Sequence, residues 1–321
     1  MALSNMKVFN EYLQTAVIET LSQRVEAFNA ASRGAIQMTT QGFDGDFLQE
    51  AFWQSIHSAQ RRVDRYATNG TASPTSLAQA QLNSVKIAGG FGPILFEPAQ
   101  LTWIQKNPAE ALEVISRNFS EAMLKDMLNS AIAAAVAAIE AQGSNVGYYD
   151  GGTGPLTYRD LNNAHALFGD MSDTIVCNVV DGETFHGFID QNLANSERLF
   201  QAQGVQVVDV LGRVMIVTDA PALRETGTGA DCKALGLVAG GIIVHDIGDL
   251  VTNTETSNGK NRIETTWQAD YAFGLGLKGY AWDTGNGGKT PSDAEIATGS
   301  NWDKVATSIK HTAGVLAIAN A

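Results

Sequence analysis

The sequence predicts an α+β fold, and three observations carry that prediction. An apolar-periodic run of 35 residues extends from Pro108 to Gln142, long enough for a helix of roughly 50 Å. Beyond residue 155, short strand and helix patterns succeed one another without regular βαβ alternation, which is the mark of α+β rather than α/β architecture. Finally, Thr265–Trp282 reads as a long β segment carrying Trp267, Tyr271, Phe273, Tyr280 and Trp282, a set suited to a pleated and largely buried surface.

Taken in order, residues 6–30 place Val8, Tyr12, Ala16/Val17, Leu21, Val25 and Phe28 at spacings of three to five, an amphipathic helix. Ser32-Arg33-Gly34 stops it, and Ala35-Ile-Gln-Met-Thr-Thr alternates as a short strand. Asp46 reads as the N-cap of a helix reaching about Tyr66 and ending in Arg61, Arg62 and Arg65. Residues 68–84 form a polar loop, and Val85–Phe96 returns as a strand broken at Gly89-Gly90. Asn107-Pro108 opens the long helix with Asn as N-cap, Pro at the first helical position and Glu110 and Glu113 in the first turns. No second long helix is expected to pair with it. Residues 143–155, rich in glycine, read as a linker. Ten basic and thirteen acidic residues lie up to Gln142, against eleven and twenty-one after it, so the acidity is concentrated beyond that boundary. There, Thr157–Phe168 is helical, Thr174–Val180 is a buried strand, and Asp181 caps a helix to about Leu193. Strands follow at 205–210, 213–218, 234–239 and 241–245. An acidic helical stretch, Ser292–Thr298, and a final strand from Gly314 close the chain.

Composition narrows the function classes. The formal net charge is −13, with 21 Lys+Arg against 34 Asp+Glu, and a protein that coats duplex DNA needs a basic face instead. No run of 18 apolar residues occurs, Ala131–Ala141 being too short to span a bilayer. Met1-Ala-Leu-Ser-Asn-Met-Lys7 lacks the basic then apolar layout of a signal peptide. Two cysteines, Cys177 and Cys232, are too few for a disulfide framework and fit a reducing compartment. Charged residues make up 17%, where about 25% is usual. A surface so sparsely charged suits one covered by copies of itself.

The candidate chemistry is thin. Gly274-Leu-Gly-Leu-Lys-Gly279 matches the dinucleotide pattern by letter, yet Tyr280-Ala-Trp-Asp-Thr-Gly follows in place of the helix that pattern must open. Its glycines suit instead a strand closely approached by another element. Cys177 with His186 suggests a thiol and base, but Cys177 sits within Ile-Val-Cys-Asn-Val-Val as a small core residue. His57, His165, His186, His245 and His311 show no zinc-ligand spacing. Asp44/Asp46 and Asp246/Asp249 sit at turns, and Arg61, Arg62 and Arg65 read as a solvated end or as partners for a neighbour's acidic surface. No catalytic, cofactor-binding or metal site is assigned, and a soluble hydrolase is the competing class.

Leu211-Gly-Arg-Val-Met-Ile-Val-Thr-Asp-Ala-Pro-Ala-Leu223, Gly274–Asp283, Pro291–Lys304 and Lys310-His-Thr-Ala-Gly-Val315 resemble, in order and spacing, the major capsid proteins of tailed bacteriophages. The Arg61-Arg62 excursion, Gly92-Pro93 and Ala122-Met-Leu-Lys-Asp126 extend the likeness over nearly the whole chain. The resemblance implies the phage major capsid fold, shared with herpesvirus floors and encapsulins. It maps onto an N-terminal arm (1–33), an extended loop (34–100), a peripheral domain (101–154) with spine helix 108–142, an axial domain (155–248), and returning peripheral strands with the C-terminal segment (249–321). It further implies hexamers and pentamers of an icosahedral shell enclosing double-stranded DNA, an encapsulin-type shell being the nearer alternative. Implied partners are other copies of the chain, a portal, scaffolding and decoration proteins, and packaged DNA by non-specific contact. No cofactor, enzyme activity or membrane is implied. The implied location is the virion capsid, assembled in the host bacterial cytoplasm. The short stretch before the arm implies a separate scaffold or none. Some relatives crosslink subunits through Lys and Asn; Lys86 is the only lysine in the extended loop, and non-covalent assembly is expected. The arm, through Tyr12, Leu21, Val25 and Phe28, is expected to pack on an adjacent subunit. Phe43, Phe47, Phe52, Trp53 and Phe91 of the extended loop are expected to contribute little to their own subunit.

Overall fold

The structure, a computed structural model, describes residues 2–320 except 40–41, 44, 54–58, 69, 72, 195–212, 226–230, 247–248 and 259–262. In chain order the elements are α1 (Ala2–Ala31), β1 (Ile36–Thr39), β2 (Phe47–Trp53), β3 (Gln79–Phe96), α2 (Pro98–Lys106), α3 (Pro108–Glu140), β4 (Tyr148–Thr153), α4 (Tyr158–Ala166), β5 (Ile175–Val180), α5 (Gly182–Ala194), β6 (Val214–Val217), β7 (Asp231–Val238), β8 (Ile242–Asp246), β9 (Val251–Ser257), β10 (Glu264–Leu277), β11 (Tyr280–Trp282), α6 (Asp293–Ile296), β12 (Trp302–Lys304) and β13 (Gly314–Asn320). The α+β reading holds. The strand expected at 205–210 lies outside the described residues.

Two sheets share α3. One is eight-stranded, running β1-β8-β10-β11-β12, with β3 along the other side of β10, β2 on β3, and β9 beside β8 on β10. The other runs β4-β13-β7-β5-β6. Alternation along its strands gives the second sheet two apolar faces. Leu235, Leu237, Leu316 and Ile318 join the core built on α3, while Ala234, Val238, Val315 and Ala317 form a separate cluster with Leu161, Phe168 and Phe188 of the α4–α5 side. Sheet membership crosses the sequence boundaries at 154 and 248. β13, beyond 248, pairs with β4 on one side and with β7 on the other, whereas β8, before 248, pairs with β1 and β10.

The long helix forms as the sequence reads, with Pro108 at its first turn. Asn107 occupies the cap position, but its amide donates to Glu110 at 3.3 Å instead of capping a backbone N–H. α3 is the described helix long and apolar enough to cross a bilayer, and most of its apolar window is buried within the protein, the condition of a core helix. Its partner is α1, correcting the expectation of no second long helix. Leu13, Val17 and Leu21 of α1 are buried in the core that contains Phe119, Met123 and Met127 of α3. The Ser120 hydroxyl donates to the Val17 carbonyl at 3.1 Å. The apolar face of the arm therefore packs on its own subunit. Tyr12, placed on that face by its spacing, is 57% exposed.

Four further expectations are corrected. Residues 47–53 are a strand, not a helix, because each finds a backbone partner on β3, from Phe47 opposite Val85 to Trp53 opposite Gln79. β3 begins at Gln79, inside the expected loop, and runs unbroken through Gly89-Gly90; the irregularity falls opposite Gly92-Pro93, where the register on β10 shifts between Trp267 and Ala269. The linker at 143–155 contains β4. The base of the extended loop also belongs to its own subunit. Phe91 packs edge-on against Phe119 of α3 at 4.9 Å, Phe47 packs on the same core, and Phe43 meets His245. The side chains of Phe52 and Trp53 lie outside the described residues.

Candidate functional site

The glycine motif lies in β10 and the turn that follows it. A Cβ at Gly274 would overlap the Phe43 ring and one at Gly276 the Ser84 hydroxyl, while Gly279, at φ +80°, makes the turn into β11. Close approach explains these glycines, and no helix follows to receive a phosphate.

Cys177 is fully buried in β5, and burial pushes its thiol up to about 12, so it stays protonated. His186 is not its base; it lines a cleft of about 300 Å³ with Cys232, Asp190 and Arg224. There Arg224 bridges Asp181 at 3.3 Å and Glu183 at 2.6 Å, and burial raises the Cys232 thiol. Asp181 caps α5 as its position predicts, accepting from the Thr184 N–H at 3.2 Å. His165 is buried between Arg213, which donates to Nδ1 at 2.6 Å, and Asn178, whose Oδ1 lies 2.8 Å from Nε2. Burial, then the Arg213 charge, lower its pKa to about 4. A neutral ring accepting at Nδ1 and donating at Nε2 satisfies both contacts, and this is a structural histidine.

Of the acidic pairs, Asp46 meets Lys289 at 3.4 Å and Asp249 meets Lys86 at 3.2 Å; Asp44, the side chain of Asp246, and His57 lie outside the described residues. His245 sits 3.3 Å from the Thr39 hydroxyl and His311 is exposed. Among the described residues no three His, Cys, Asp or Glu side chains group as a metal site.

What the fold does present is surface. Every described residue from 59 to 79 whose side chain is described is exposed, including Arg61, Arg62, Arg65, Val63, Leu77 and the 99% exposed Tyr66. At the rim of the eight-stranded sheet, Ile94, Leu95, Val251 and Ile263 are also open. Where such side chains adjoin one another they form the apolar patches that contact surfaces use.

The sequence reading missed a second feature. A cleft of about 430 Å³ lies between α3, the Pro221–Leu223 turn and α6, lined by Asp126, Asn129, Ser130, Ala133, Asp293 and Ile296, among others. The Tyr271 hydroxyl donates to Asp126, and burial, that bond and the Asp126 and Asp293 charges raise its pKa. The signal was present in sequence as polar positions 126, 129 and 130, adjacent on one helix face within an apolar run.

Comparison with known proteins agrees with the fold. The family model described as "Gp13-like: Major capsid protein 13-like" matches residues 5–316. Among solved structures, the cyanophage Pam1 capsid asymmetric unit aligns with a TM-score of 0.53 at 13% identity, covering 88% of this chain and 87% of that one. A chain of Mycobacterium phage Bobi gives 0.52 at 13%, covering 88% of each. A chain of Mycobacterium phage Adephagia gives 0.52 at 12%, covering 89% of this chain and 88% of that one. No curated protein matches the sequence. With a family model spanning nearly its whole length and the phage capsid fold built on α3, the chain belongs to the Gp13-like family of bacteriophage major capsid proteins, structural components of the phage capsid.

Proposed function

We propose that the protein self-assembles into hexamers and pentamers of an icosahedral shell enclosing double-stranded DNA. The observation that supports this best is the distal part of the β2–β3 excursion. It carries Val63, Tyr66 and Leu77 into solvent with no cover from its own subunit, and a segment of this length needs a partner to bury it. In this reading the five-stranded sheet with α4 and α5 is the axial domain. The eight-stranded sheet with α1 and α3 is the peripheral domain, and the distal part of the extended loop, residues 59–79, is laid across a neighbour. The role is structural rather than enzymatic. Assembly takes place in the host bacterial cytoplasm, around a portal and with scaffolding or decoration proteins as further partners.

Negative-stain microscopy of the purified protein tests the reading: closed shells with five- and six-fold clusters are expected, and particles of no regular size refute it. The encapsulin-type alternative is separated by content, since a phage shell matured in cells protects DNA from nuclease and an encapsulin shell holds protein.

A further inference from the structure

We propose that the acidic cleft between α3 and α6 receives an arginine side chain from residues 61–65 of a second copy of this chain. The inference rests on the shell reading and names one of its contacts. The cleft joins two kinds of wall. Asp126, Asn129, Ser130 and Asp293 supply oxygen acceptors, while Ala133 and Ile296 line it with apolar surface. Ser130 is 7% exposed and its hydroxyl has no hydrogen-bond partner among the described residues. Tyr271 gives Asp126 one hydrogen bond, and no cation among the described residues pairs with Asp126 or Asp293. An alkyl stem ending in a guanidinium matches this lining, because the stem lies against apolar wall while the planar fork pairs with carboxylates.

Charge and reach identify the occupant. In a chain of net charge −13, Arg61, Arg62 and Arg65 fall within five residues, all are exposed, and none pairs with a carboxylate among the described residues. They lie past the far end of the β2–β3 ladder. That ladder runs from Val85, the last β3 residue paired with β10, to Gln79, a span of about 20 Å at 3.4 Å per residue. Since the described side chains of residues 59–79 are exposed throughout, the segment's own subunit does not receive it.

The test is a charge exchange in full-length protein. Joint Arg61→Glu, Arg62→Glu and Arg65→Glu substitution should raise the concentration needed for shell assembly at least tenfold, and Asp293→Lys alone should do the same. Combining all four should bring the threshold back within about threefold of the parent. Asp293 is chosen because Asp126 also holds Tyr271, and unchanged melting of dispersed subunits confirms folding. Independently, Arg62→Lys shells treated with a carbodiimide should yield crosslinked peptides joining position 62 to Asp126 or Asp293, absent from dispersed subunits. Parental assembly by the triple variant, or crosslinks confined to other carboxylates, overturns the proposal and leaves the shell reading standing. Absence of shells from the parent protein overturns both.

Discussion

Removing α1 should cost the subunit much of its stability, and the size of the effect follows from three side chains. Leu13, Val17 and Leu21 are 1%, 0% and 5% exposed. Burying an aliphatic side chain of this size contributes about 1.5–3 kcal/mol, so the three together contribute roughly 5–9 kcal/mol. Deletion of residues 2–31 also uncovers Met123 and Met127 on α3 and Leu250 beside them. A domain holds about 5–15 kcal/mol in total, and the deletion removes a comparable amount before the relief of ordering a long helix is counted. The deleted chain is therefore expected as an expanded, weakly packed subunit. Single changes grade the effect: Leu13→Ala should cost about 2–5 kcal/mol through lost burial and an unfilled cavity, whereas Tyr12→Ala, at an exposed position, should fall within about 0.5 kcal/mol. Urea unfolding of dispersed subunits followed by near-ultraviolet circular dichroism measures both. A deleted chain with the parental midpoint and spectrum would refute the reasoning and show that the apolar face of α1 serves another subunit.

Three further outcomes follow from particular contacts. His165 titrates at about 4 in the folded chain against 6.5 ordinarily, so between those values the unfolded chain holds a proton that the folded chain refuses. Its contribution is complete above pH 6.5 and lost on descent to pH 4, about 3 kcal/mol in all. His165→Gln should flatten the pH dependence of urea midpoints over that range, and parallel slopes would refute it. A Cβ on Gly314 would overlap the Gly236 carbonyl, while one on Gly187 meets nothing within 4 Å. Gly314→Ala should thus disrupt the β13–β7 pairing, and Gly187→Ala, inside α5, should raise stability by about 0.5–1 kcal/mol; thermal melts of both check the contrast. Dispersed subunits, at net charge −13, should bind duplex DNA weakly. Fluorescence anisotropy showing tight binding with a steep salt slope would contradict that.

The sequence was most legible where local chemistry dictates structure. Thr157-x-x-Asp160 and Ser292-x-x-Glu295 form capping boxes at the starts of α4 and α6, and helices near both positions are readable from composition alone. Glu97-Pro98-x-Gln100 is the same device at α2, and α2 passed unrecognised because nine residues show little periodicity before the stronger pattern of α3. Residues 47–53 failed for another reason: their apolar spacing tolerates either period, and the choice is made by β3, some thirty residues away. The docking of α1 on α3 was equally invisible, since amphipathicity shows that a face must be covered and not by what. The acidic cleft is assembled from α3, the Pro221 turn and α6, three segments whose juxtaposition no local pattern encodes.

The placement of burial separates two stabilities that an assembling protein must keep apart. The large fully buried aromatics, Trp282, Trp302, Tyr280, Phe168, Phe188 and Phe273, lie in the two sheets, in α5 and in the turn after α4. Trp282 and Trp302 meet edge-on at 4.9 Å, with each indole N–H donating to a carbonyl at 3.0 Å. None of these contacts involves residues 59–79, so the aromatic core of the subunit is complete without that segment. Conversely, the large apolar side chains of that segment, Val63, Tyr66 and Leu77, remain uncovered, so their burial free energy is available only to a contact between subunits. Each copy in a closed shell would repeat that contact. A remainder of about 1.4 kcal/mol per contact is a tenfold bias, and the bias compounds with every subunit added. Shell closure can therefore be tuned by substitutions between residues 59 and 79 that leave the melting of the subunit unchanged, the combination that the arginine substitutions at 61, 62 and 65 are designed to reveal.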